Sequence, residues 1–234
     1  MKMDVKRLNT LSYLQTLPIF KDLSKSECEN AAQDCQFGHL SRGEVLFQVG
    51  DACEVFHVIT SGQVKLYLAT PTGQEKVIEI VGPDQSFAES TMLLGTPYLF
   101  NAQALTETEL LTVGKRTILA LMERNHRFSM HLTSGISHWL HQLISDVGGY
   151  ALQSGMHRLI NYLLQSAQGK DTKNMESFTV FLPVSKATIA SRLSLTPEYF
   201  SRVLHELASE RLIEINRRQI RVLDVHRLAN YRSN

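Results

Sequence analysis

The sequence predicts an α+β protein in which a β-rich segment is followed by a long helix and then by a second, mostly helical domain. Three observations support this prediction: short β-rich runs between Gly43 and Val113, an apolar repeat close to a heptad after Lys115, and two short helices followed by a hairpin near the C-terminus. The chain has 234 residues, of which 43% are hydrophobic and 20% are charged, so it can form two domains with sizeable cores.

The β-rich segment consists of short runs of β-branched and aromatic residues that turn residues interrupt about every 8–12 positions. The predicted strands are Val45–Phe47, Val55–Ile59, Val64–Leu68 and Val77–Val81. Val64, Leu66 and Leu68 fall on one face of their strand, as the two-residue period of a half-buried strand requires. Thr70–Gly73 has proline and glycine where a type I hairpin turn favours them. The pattern indicates an antiparallel barrel or jelly roll, preceded by helices over residues 8–37.

An apolar repeat close to a heptad marks the helical stretch that follows. Its members step by four or three positions and are Leu132, Ile136, Trp139, Leu143 and Val147. The repeat can pack on the chain's own barrel or meet the same helix of a second copy, and we favour the second interpretation, a parallel dimer. Gly148 and Gly149 are predicted to break the helix and to form a hinge. The predicted divisions are residues 1–115 for the β-rich domain with its N-terminal helices, 116–148 for the dimerisation helix and 149–234 for the C-terminal, mostly helical domain.

A helix-turn-helix pattern lies between Val184 and Leu223. Ser185–Leu193 is predicted to be a short helix with Ser185 as its N-cap. Thr196, Pro197 and Glu198 begin a second helix, since threonine caps, proline suits the first turn and glutamate favours the positive helix end. Two short helices joined by a tight turn place the second helix in the major groove of DNA. A hairpin with a basic tip follows them and is interpreted as a wing.

The second helix has one apolar and one polar face at about 100° per residue. Glu198, Ser201 and Arg202 lie on the polar side and are the predicted base-reading residues, because a guanidinium matches O6 and N7 of guanine and a carboxylate accepts from cytosine. The predicted contacts to the DNA backbone are Lys186, Thr188, Thr196, Tyr199, Arg217 and Arg218. The alternative from the residues alone is a solvated amphipathic helix beside an ordinary hairpin.

Charge is distributed unevenly along the chain. Residues 151–234 carry 12 basic and 7 acidic side chains, whereas residues 1–150 carry 12 and 16. A basic C-terminal third agrees with a nucleic-acid-binding domain attached to a separate sensor.

Several classes of function are excluded by what the sequence lacks. It contains no P-loop, nucleophile elbow, H-E-x-x-H or dinucleotide-binding fingerprint, so an enzyme is not expected. Cys28, Cys35 and Cys53 form no C-x-x-C pair, which argues against a zinc ribbon, and their odd number argues against a disulfide framework. The charged start and the absence of an apolar run near the ~18 residues of a membrane span predict a cytoplasmic protein without a membrane partner.

At these residues the sequence resembles the Crp/Fnr family of bacterial regulators over nearly its whole length. The resemblance rests on Ser61–Val64, Phe87–Glu89, the long helix and Leu193–Arg202, in which Glu198, Ser201 and Arg202 match the Glu-x-x-Ser-Arg readers of the Fnr branch. It implies an N-terminal β-roll, a double-stranded β-helix or jelly roll like that of cyclic nucleotide-binding proteins, and a C-terminal winged helix-turn-helix. It also implies an effector pocket at Phe87 and Glu89, a homodimer, and transcriptional activation through RNA polymerase at inverted repeats of the TTGAT type.

Departures from the family pattern bear on the effector. Members that bind cyclic nucleotides carry Gly-Glu and a nearby Arg-Ser for the phosphate, but here Ala88 replaces the glycine and no arginine occurs between Gly43 and Lys115. A cyclic phosphate would lack its bidentate partner, so cAMP is not expected. Oxygen-sensing Fnr proteins hold an iron–sulfur cluster with four cysteines, and three cysteines do not supply this site.

Within the family the chain resembles the Dnr-type regulators of denitrification. The resemblance lies at Thr72–Lys76, Phe87–Glu89 and Gly95–Pro97. It implies nitric oxide sensing through haem, for which His39 and His57 are the candidate axial ligands, although a lone histidine among strands is more commonly structural. Two functions agree with these features: an effector-responsive DNA-binding regulator, and alternatively a cyclic-nucleotide-binding regulatory module that acts through protein partners.

Overall fold

The protein is described by a computed structural model that covers residues 5–166 and 176–231. The chain forms two compact units whose boundary falls between Gln142 and Leu143, and Glu75–Val77 groups with the second unit. None of the helices in the described residues has the length and apolar character needed to cross a membrane.

The first unit begins with helices and continues as two antiparallel sheets. The helices are α1 (Val5–Thr16), a 3-10 turn (Pro18–Phe20), α2 (Lys25–Gln33), α3 (Glu89–Leu94) and α4 (Lys115–Arg124). The strands are β1 (Cys35–Leu40), β2 (Val45–Phe47), β3 (Val55–Ser61), β4 (Val64–Ala69), β5 (Glu75–Val81), β6 (Ser86–Phe87), β7 (Asn101–Ala104) and β8 (Thr108–Gly114). Their orders are β1-β8-β3-β6 and β2-β7-β4-β5, and the four predicted strands are confirmed.

The N-terminal helical prediction extends too far. Residues 35–37 belong to β1, which pairs with β8 from Cys35 opposite Val113 to Leu40 opposite Thr108. Gln36 to His39 are all exposed and none of them is β-branched, so the alternation and the β-branched residues that usually mark a strand are both missing here.

Strand β4 also departs from its predicted alternation. Val64 and Leu66 are buried as predicted, but Lys65 and Tyr67 are buried too and Leu68 is exposed. The first four residues of β4 are buried and the last two are exposed, so burial changes along the strand and does not alternate between its two faces. The turn after β4 is confirmed, since the Gly73 amide donates to the Thr70 carbonyl at 2.9 Å.

The core of the first unit includes the start of the long helix α5 (His126–Leu152). The ring of Phe128 in α5 stacks on Phe20 with centroids 5.7 Å apart, and Phe20 stacks on Phe56 at 6.5 Å. Leu132 is 2% exposed in the same core, and Ile136 packs against it. The N-terminal end of the apolar repeat therefore serves the chain's own core, so Leu132 is not available to a second copy.

The predicted helix break at Gly148 and Gly149 is wrong. Both glycines lie inside α5, which runs unbroken for 27 residues to Leu152. Each glycine costs about 1 kcal/mol of helix propensity, an amount that packing of the helix can outweigh, and Gly149 is buried. The next helix is capped by Ser154, whose hydroxyl accepts a hydrogen bond from the His157 amide at 3.3 Å.

Among its described residues, the second unit combines four helices with a small sheet, besides the end of α5. The helices are α6 (Gly155–Gln165), α7 (Lys186–Arg192), α8 (Pro197–Ser209) and α9 (Val225–Ala229), and the strands are β9 (Phe178–Phe181), β10 (Ile213–Asn216) and β11 (Gln219–Val222). The predicted hairpin is β10–β11, with Ile213 opposite Val222, and β9 pairs with β11 as a third strand that was not predicted. Helix α6 buries Met156, Leu159, Ile160 and Leu163.

Candidate nucleic-acid interface and effector domain

Helices α7 and α8 form the predicted helix-turn-helix with the predicted caps. The Ser185 hydroxyl accepts from the Thr188 amide at 3.1 Å, and the Thr196 hydroxyl accepts from the Tyr199 amide at 3.1 Å. Ser194 in the connection has a φ of 54°, the left-handed region, which allows the sharp reversal between the two helices.

Helix α8 has one buried and one open face. The buried side chains are Phe200, Val203, Leu204 and Leu207, each no more than 1% exposed. Glu198, Arg202 and His205 are exposed on the opposite side, and Ser201 is half-buried. The apolar face anchors α8 to its unit, and the three predicted base-reading residues share the side that remains open.

An arginine from α6 holds the turn of the helix-turn-helix. The Arg158 guanidinium donates through Nε to the Leu193 carbonyl at 2.9 Å and through Nη2 to the Ser194 carbonyl at 3.2 Å. Its Nη1 donates to the Gln153 carbonyl at 2.8 Å. These carbonyls end α7 and α5, so one side chain ties the turn to α6 and to the end of the long helix.

The last turns of α5 contact α7 through a buried ion pair. Arg192 is buried, and its Nη2 lies 2.7 Å from Oδ2 of Asp146. Its Nη1 donates to the Tyr150 hydroxyl at 3.1 Å, while that hydroxyl donates to the Arg192 carbonyl at 2.7 Å. A buried charge that keeps its partner and hydrogen bonds fixes geometry more than it adds stability, so these contacts orient α7 relative to the end of α5.

The predicted backbone-contacting residues lie around the same helices and at the wing. Arg217 and Arg218 are exposed at the hairpin tip, and the Arg218 carbonyl accepts from the Leu182 amide at 2.8 Å. Lys186 and Thr188 lie half-buried in the first turn of α7, and Thr196 is exposed. These positions are compatible with phosphate contacts, which remain a prediction.

The two predicted pocket residues of the first unit differ in setting. Phe87 is buried, with its ring 5.1 Å from that of His57 and 6.2 Å from that of Phe47. Glu89 begins α3, and burial raises the pKa of its carboxyl group. Ala88 between them has a φ of 74°, a conformation that costs a non-glycine residue about 1–2 kcal/mol. Phe87 is thus part of an aromatic cluster, and Glu89 is the ionisable group beside it.

The candidate haem ligands do not fit that role. His57 is 4% exposed, and its ring stacks on Phe47 at 5.5 Å and on Phe87 at 5.1 Å, so it is packed in the core and does not face an open space where a porphyrin could bind. Its Nε2 lies 3.1 Å from the Tyr98 hydroxyl. His39 is exposed on β1, with Nε2 at 3.1 Å from a carboxylate oxygen of Glu107. The described residues contain no group of three or more His, Cys, Asp or Glu that could hold a metal ion.

Burial of His57 predicts acid sensitivity of the fold. Burial lowers the pKa of His57 to about 4, against about 6.5 in an unfolded chain. Between these values the unfolded chain binds a proton that the folded chain does not, so the free energy of unfolding should fall as the pH decreases from about 6.5 to about 4. The loss is at most about 3 kcal/mol.

Urea unfolding at several pH values between about 7.5 and about 4.5 measures this loss in the parent protein and in His57→Gln. The glutamine amide keeps a polar partner for Tyr98 without titrating. We expect the variant to lose less stability than the parent in this window, and equal losses in both proteins would contradict the assignment to His57.

Comparisons with known proteins match one protein family to each of the two units. The family described as "Cyclic nucleotide-binding domain" matches residues 37–125, and the family described as "Crp-like helix-turn-helix domain" matches residues 157–231. The solved structure of DNR from Pseudomonas aeruginosa is 32% identical, with a TM-score of 0.51, over 97% of this chain and 98% of that one. The chain belongs to the Crp/Fnr family of transcriptional regulators.

Other relatives agree with this membership. The "Probable transcriptional regulator flp" of Lacticaseibacillus casei is 26% identical over 220 residues, which is 92% of this chain and 95% of the relative. The structure of FixK2 from Bradyrhizobium japonicum has a TM-score of 0.74 over 86% of this chain and 98% of that one, and at 19% identity it shows the shared fold. As a Crp/Fnr protein, the chain is a DNA-binding transcriptional regulator with an effector-binding domain, and not an enzyme.

Sequence reasoning found the Crp/Fnr fold class but missed residues that support the interface. The predicted N-terminal β domain, long helix and C-terminal helix-turn-helix are confirmed. Arg158, Asp146 and Tyr150 were not predicted, because hydrogen bonds to backbone carbonyls and a single buried ion pair leave no motif in the sequence. The basic character of Arg158 at the start of a helix was the one available signal, since cations are usually favoured at the other end.

Proposed function

We propose that this Crp/Fnr protein binds an inverted-repeat DNA site of the TTGAT type as a homodimer and controls transcription through RNA polymerase in the cytoplasm, in response to an effector bound by its β-roll. The observation that carries the proposal is the open face of α8, where Glu198, Ser201 and Arg202 stand opposite four buried apolar side chains. A helix that is anchored on one side and polar on the other is suited to enter a major groove.

The chemistry of this face supports direct reading of bases. The exposed guanidinium of Arg202 can donate two hydrogen bonds to O6 and N7 of guanine, and Glu198 can accept from the amino group of cytosine. The six predicted backbone-contacting residues would hold the register without specifying sequence.

A homodimer is supported by the C-terminal half of α5. Leu140, Ile144 and Val147 are 54%, 62% and 65% exposed, and they step by four and three residues along one face of the helix. This spacing is that of a coiled-coil seam. The proposed seam is shifted from the predicted one, since Leu132 and Ile136 pack on their own core. Trp139 and Leu143, also in the predicted seam, are half-buried.

We assign the chain to the Dnr-type subgroup, on the sequence segments that resemble it and the 32% identity to DNR. The effector we propose is a small molecule or a gas other than cAMP, because the β-roll offers Glu89 without an arginine for a phosphate. The alternative of a cyclic-nucleotide-binding module acting through protein partners would require measurable cAMP binding in a calorimeter and no binding to DNA.

The DNA-binding proposal is tested by fluorescence anisotropy with labelled duplexes at physiological salt. We expect the protein to prefer a TTGAT-type palindrome over a scrambled duplex of equal length by at least about 1,000-fold. Measurements with and without each candidate effector test gating. Equal affinity for both duplexes under all conditions would contradict sequence-specific binding.

Arg202→Ala should weaken binding to the parent palindrome by about 1–3 kcal/mol, or about 5- to 150-fold, and should relax selectivity at one base position. The expected loss comes from the bidentate contact to guanine. Arg217→Ala is the matched comparison, because it removes the same charge from the wing tip. It should weaken binding to all DNA sequences alike, and it should reduce the slope of log affinity against log salt concentration by about one unit, as the loss of one phosphate contact does. The same pattern in both variants would contradict the assigned roles.

A further inference from the structure

The reading residue Arg202 lies against an aromatic ring of its own helix. Its guanidinium carbon is 4.8 Å from the centre of the Tyr199 ring. The two residues are three positions apart on α8, a spacing that brings side chains together on a helix surface. A guanidinium over the face of an aromatic ring is attracted by the ring quadrupole. Arg202 is exposed, so this ring restricts a side chain that solvent would otherwise leave mobile.

The Tyr199 ring is itself held in place by the first residue of α6. A methyl group added to Gly155 would overlap Cε1 of Tyr199, and it would lie 3.2 Å from Cζ of that ring and 2.7 Å from Cδ2 of Leu195. Carbon atoms do not approach this closely, so the ring occupies space that only a glycine leaves open. Tyr199 is accordingly half-buried, although its neighbour Glu198 in the first turn of α8 is exposed.

Helix α6 is in turn fixed to the helix-turn-helix. Arg158, three residues after Gly155, donates to the carbonyls of Leu193 and Ser194 in the turn before α8. The N-cap Ser154 fixes the first turn of α6 through the His157 amide. Gly155, the Tyr199 ring and the Arg202 guanidinium therefore form a continuous stack that begins on a rigid helix end.

We propose that Tyr199 is a positioning residue that holds the Arg202 guanidinium in its reading orientation before DNA binds, and that Gly155 sets the place of the ring. The inference rests on the proposed reading role of Arg202 and deepens it. Arginine has large rotamer freedom, and a side chain ordered in advance loses less of it on binding. The aromatic ring of Tyr199, and not its hydroxyl, is the group that orders the Arg202 guanidinium.

The test compares Tyr199→Phe with Tyr199→Leu in the full chain. The readout is the ratio of affinities for the parent palindrome and for a duplex changed at the base pair whose selectivity Arg202→Ala relaxes. Phenylalanine keeps the ring, so we expect a ratio within about twofold of the parent, whereas leucine should lower it about three- to fivefold. Both variants lack the hydroxyl that is predicted to contact the DNA backbone, so any loss of affinity for scrambled duplex should be equal in the two and should cancel in the ratio.

Two results would overturn the proposal. An equal fall of the ratio in Tyr199→Phe and Tyr199→Leu would assign the effect to the hydroxyl. An unchanged affinity ratio in Tyr199→Leu would show that the ring does not contribute to base selectivity. If Arg202→Ala itself leaves base selectivity unchanged, the proposed function fails at this residue, so the two failures are distinguishable.

Gly155→Ala provides an independent variant. The added methyl group should displace the ring and lower the ratio as Tyr199→Leu does, and the double variant should lose no more than either single one. Gly135→Ala is the control. Gly135 is also a glycine within a helix, but a methyl group added there meets no atom within 4 Å. Thermal unfolding of every variant verifies that the second unit is folded at the binding temperature. If the falls in the affinity ratio caused by the two single variants add up fully in the double variant, Gly155 does not act through Tyr199.

Discussion

Gly62→Ala is expected to destabilise the first unit by about 3–5 kcal/mol, the largest effect of a single methyl group that we predict in this protein. Gly62 joins β3 to β4 with a φ of +84°, in the left-handed region. A methyl group there would overlap the Glu107 carbonyl oxygen and would lie 2.5 Å from Oγ1 and 2.7 Å from Cα of Thr108. Two of these three atoms belong to the backbone, so they cannot rotate away as a side chain can.

The neighbouring hydrogen bonds make relaxation costly. The Thr108 hydroxyl is buried and accepts from the Gln63 amide at 3.1 Å, which ties the β3–β4 turn to the start of β8. Moving the turn to admit a methyl group would break this bond and leave buried polar atoms without partners. The variant should therefore unfold at lower urea concentration or accumulate as insoluble protein.

Gly73→Ala separates the two contributions to this loss. Gly73 has the same φ of +84°, but a methyl group there meets no atom within 4 Å. The control should lose only the conformational cost of about 1–2 kcal/mol. Urea unfolding, followed by circular dichroism, measures both variants, and equal destabilisation would mean that the contacts with Glu107 and Thr108 do not matter.

The helix-turn-helix was predictable because its signals are local. The Ser185 and Thr196 caps act on amides three residues away, and the apolar face of α8 repeats within 13 residues. Each signal therefore fits inside a short window of sequence and depends little on the rest of the fold. Thr196 and Pro197 in particular locate the start of α8 to the residue.

The predictions that failed depend on contacts distant in sequence. Leu132 has the spacing of a dimer seam, but its burial comes from helices and strands much earlier in the chain. Gly148 and Gly149 have the composition of a hinge, yet the helix around them continues. Intrinsic propensity is a weak signal when tertiary packing decides the outcome.

The setting of the sensor residues could not be predicted for the same reason. The aromatic cluster around His57 draws its rings from Phe47, Phe87 and Tyr98, which come from different strands and loops. A sequence motif identifies Phe87 and Glu89 but not what packs on them. The haem hypothesis for His57 rested on residue type, whereas the structure packs this side chain in the core, where a haem does not fit.

Charged residues on α5 should abolish the proposed dimer and with it most of the DNA affinity. Leu140→Glu and Ile144→Glu would each place a carboxylate at a seam where the same residue of the second copy lies close. Burying unpaired like charges is strongly unfavourable, so the variants should be monomers at micromolar concentration. A monomer engages one half-site at a time, and its affinity for the palindrome should fall by about 100-fold or more.

The two losses are separated by measuring them on the same samples. Sedimentation equilibrium gives the state of association, and anisotropy with a palindrome and with a single half-site gives the affinities. Affinity for the half-site should be the same in parent and variants, since the reading face of α8 is untouched. Leu94→Glu is the control, because Leu94 is a 74% exposed leucine on α3, a helix outside the proposed seam. Dimers that persist in both α5 variants would move the interface to another surface, whereas monomers with parent-like affinity for the palindrome would show that the two half-sites are bound independently.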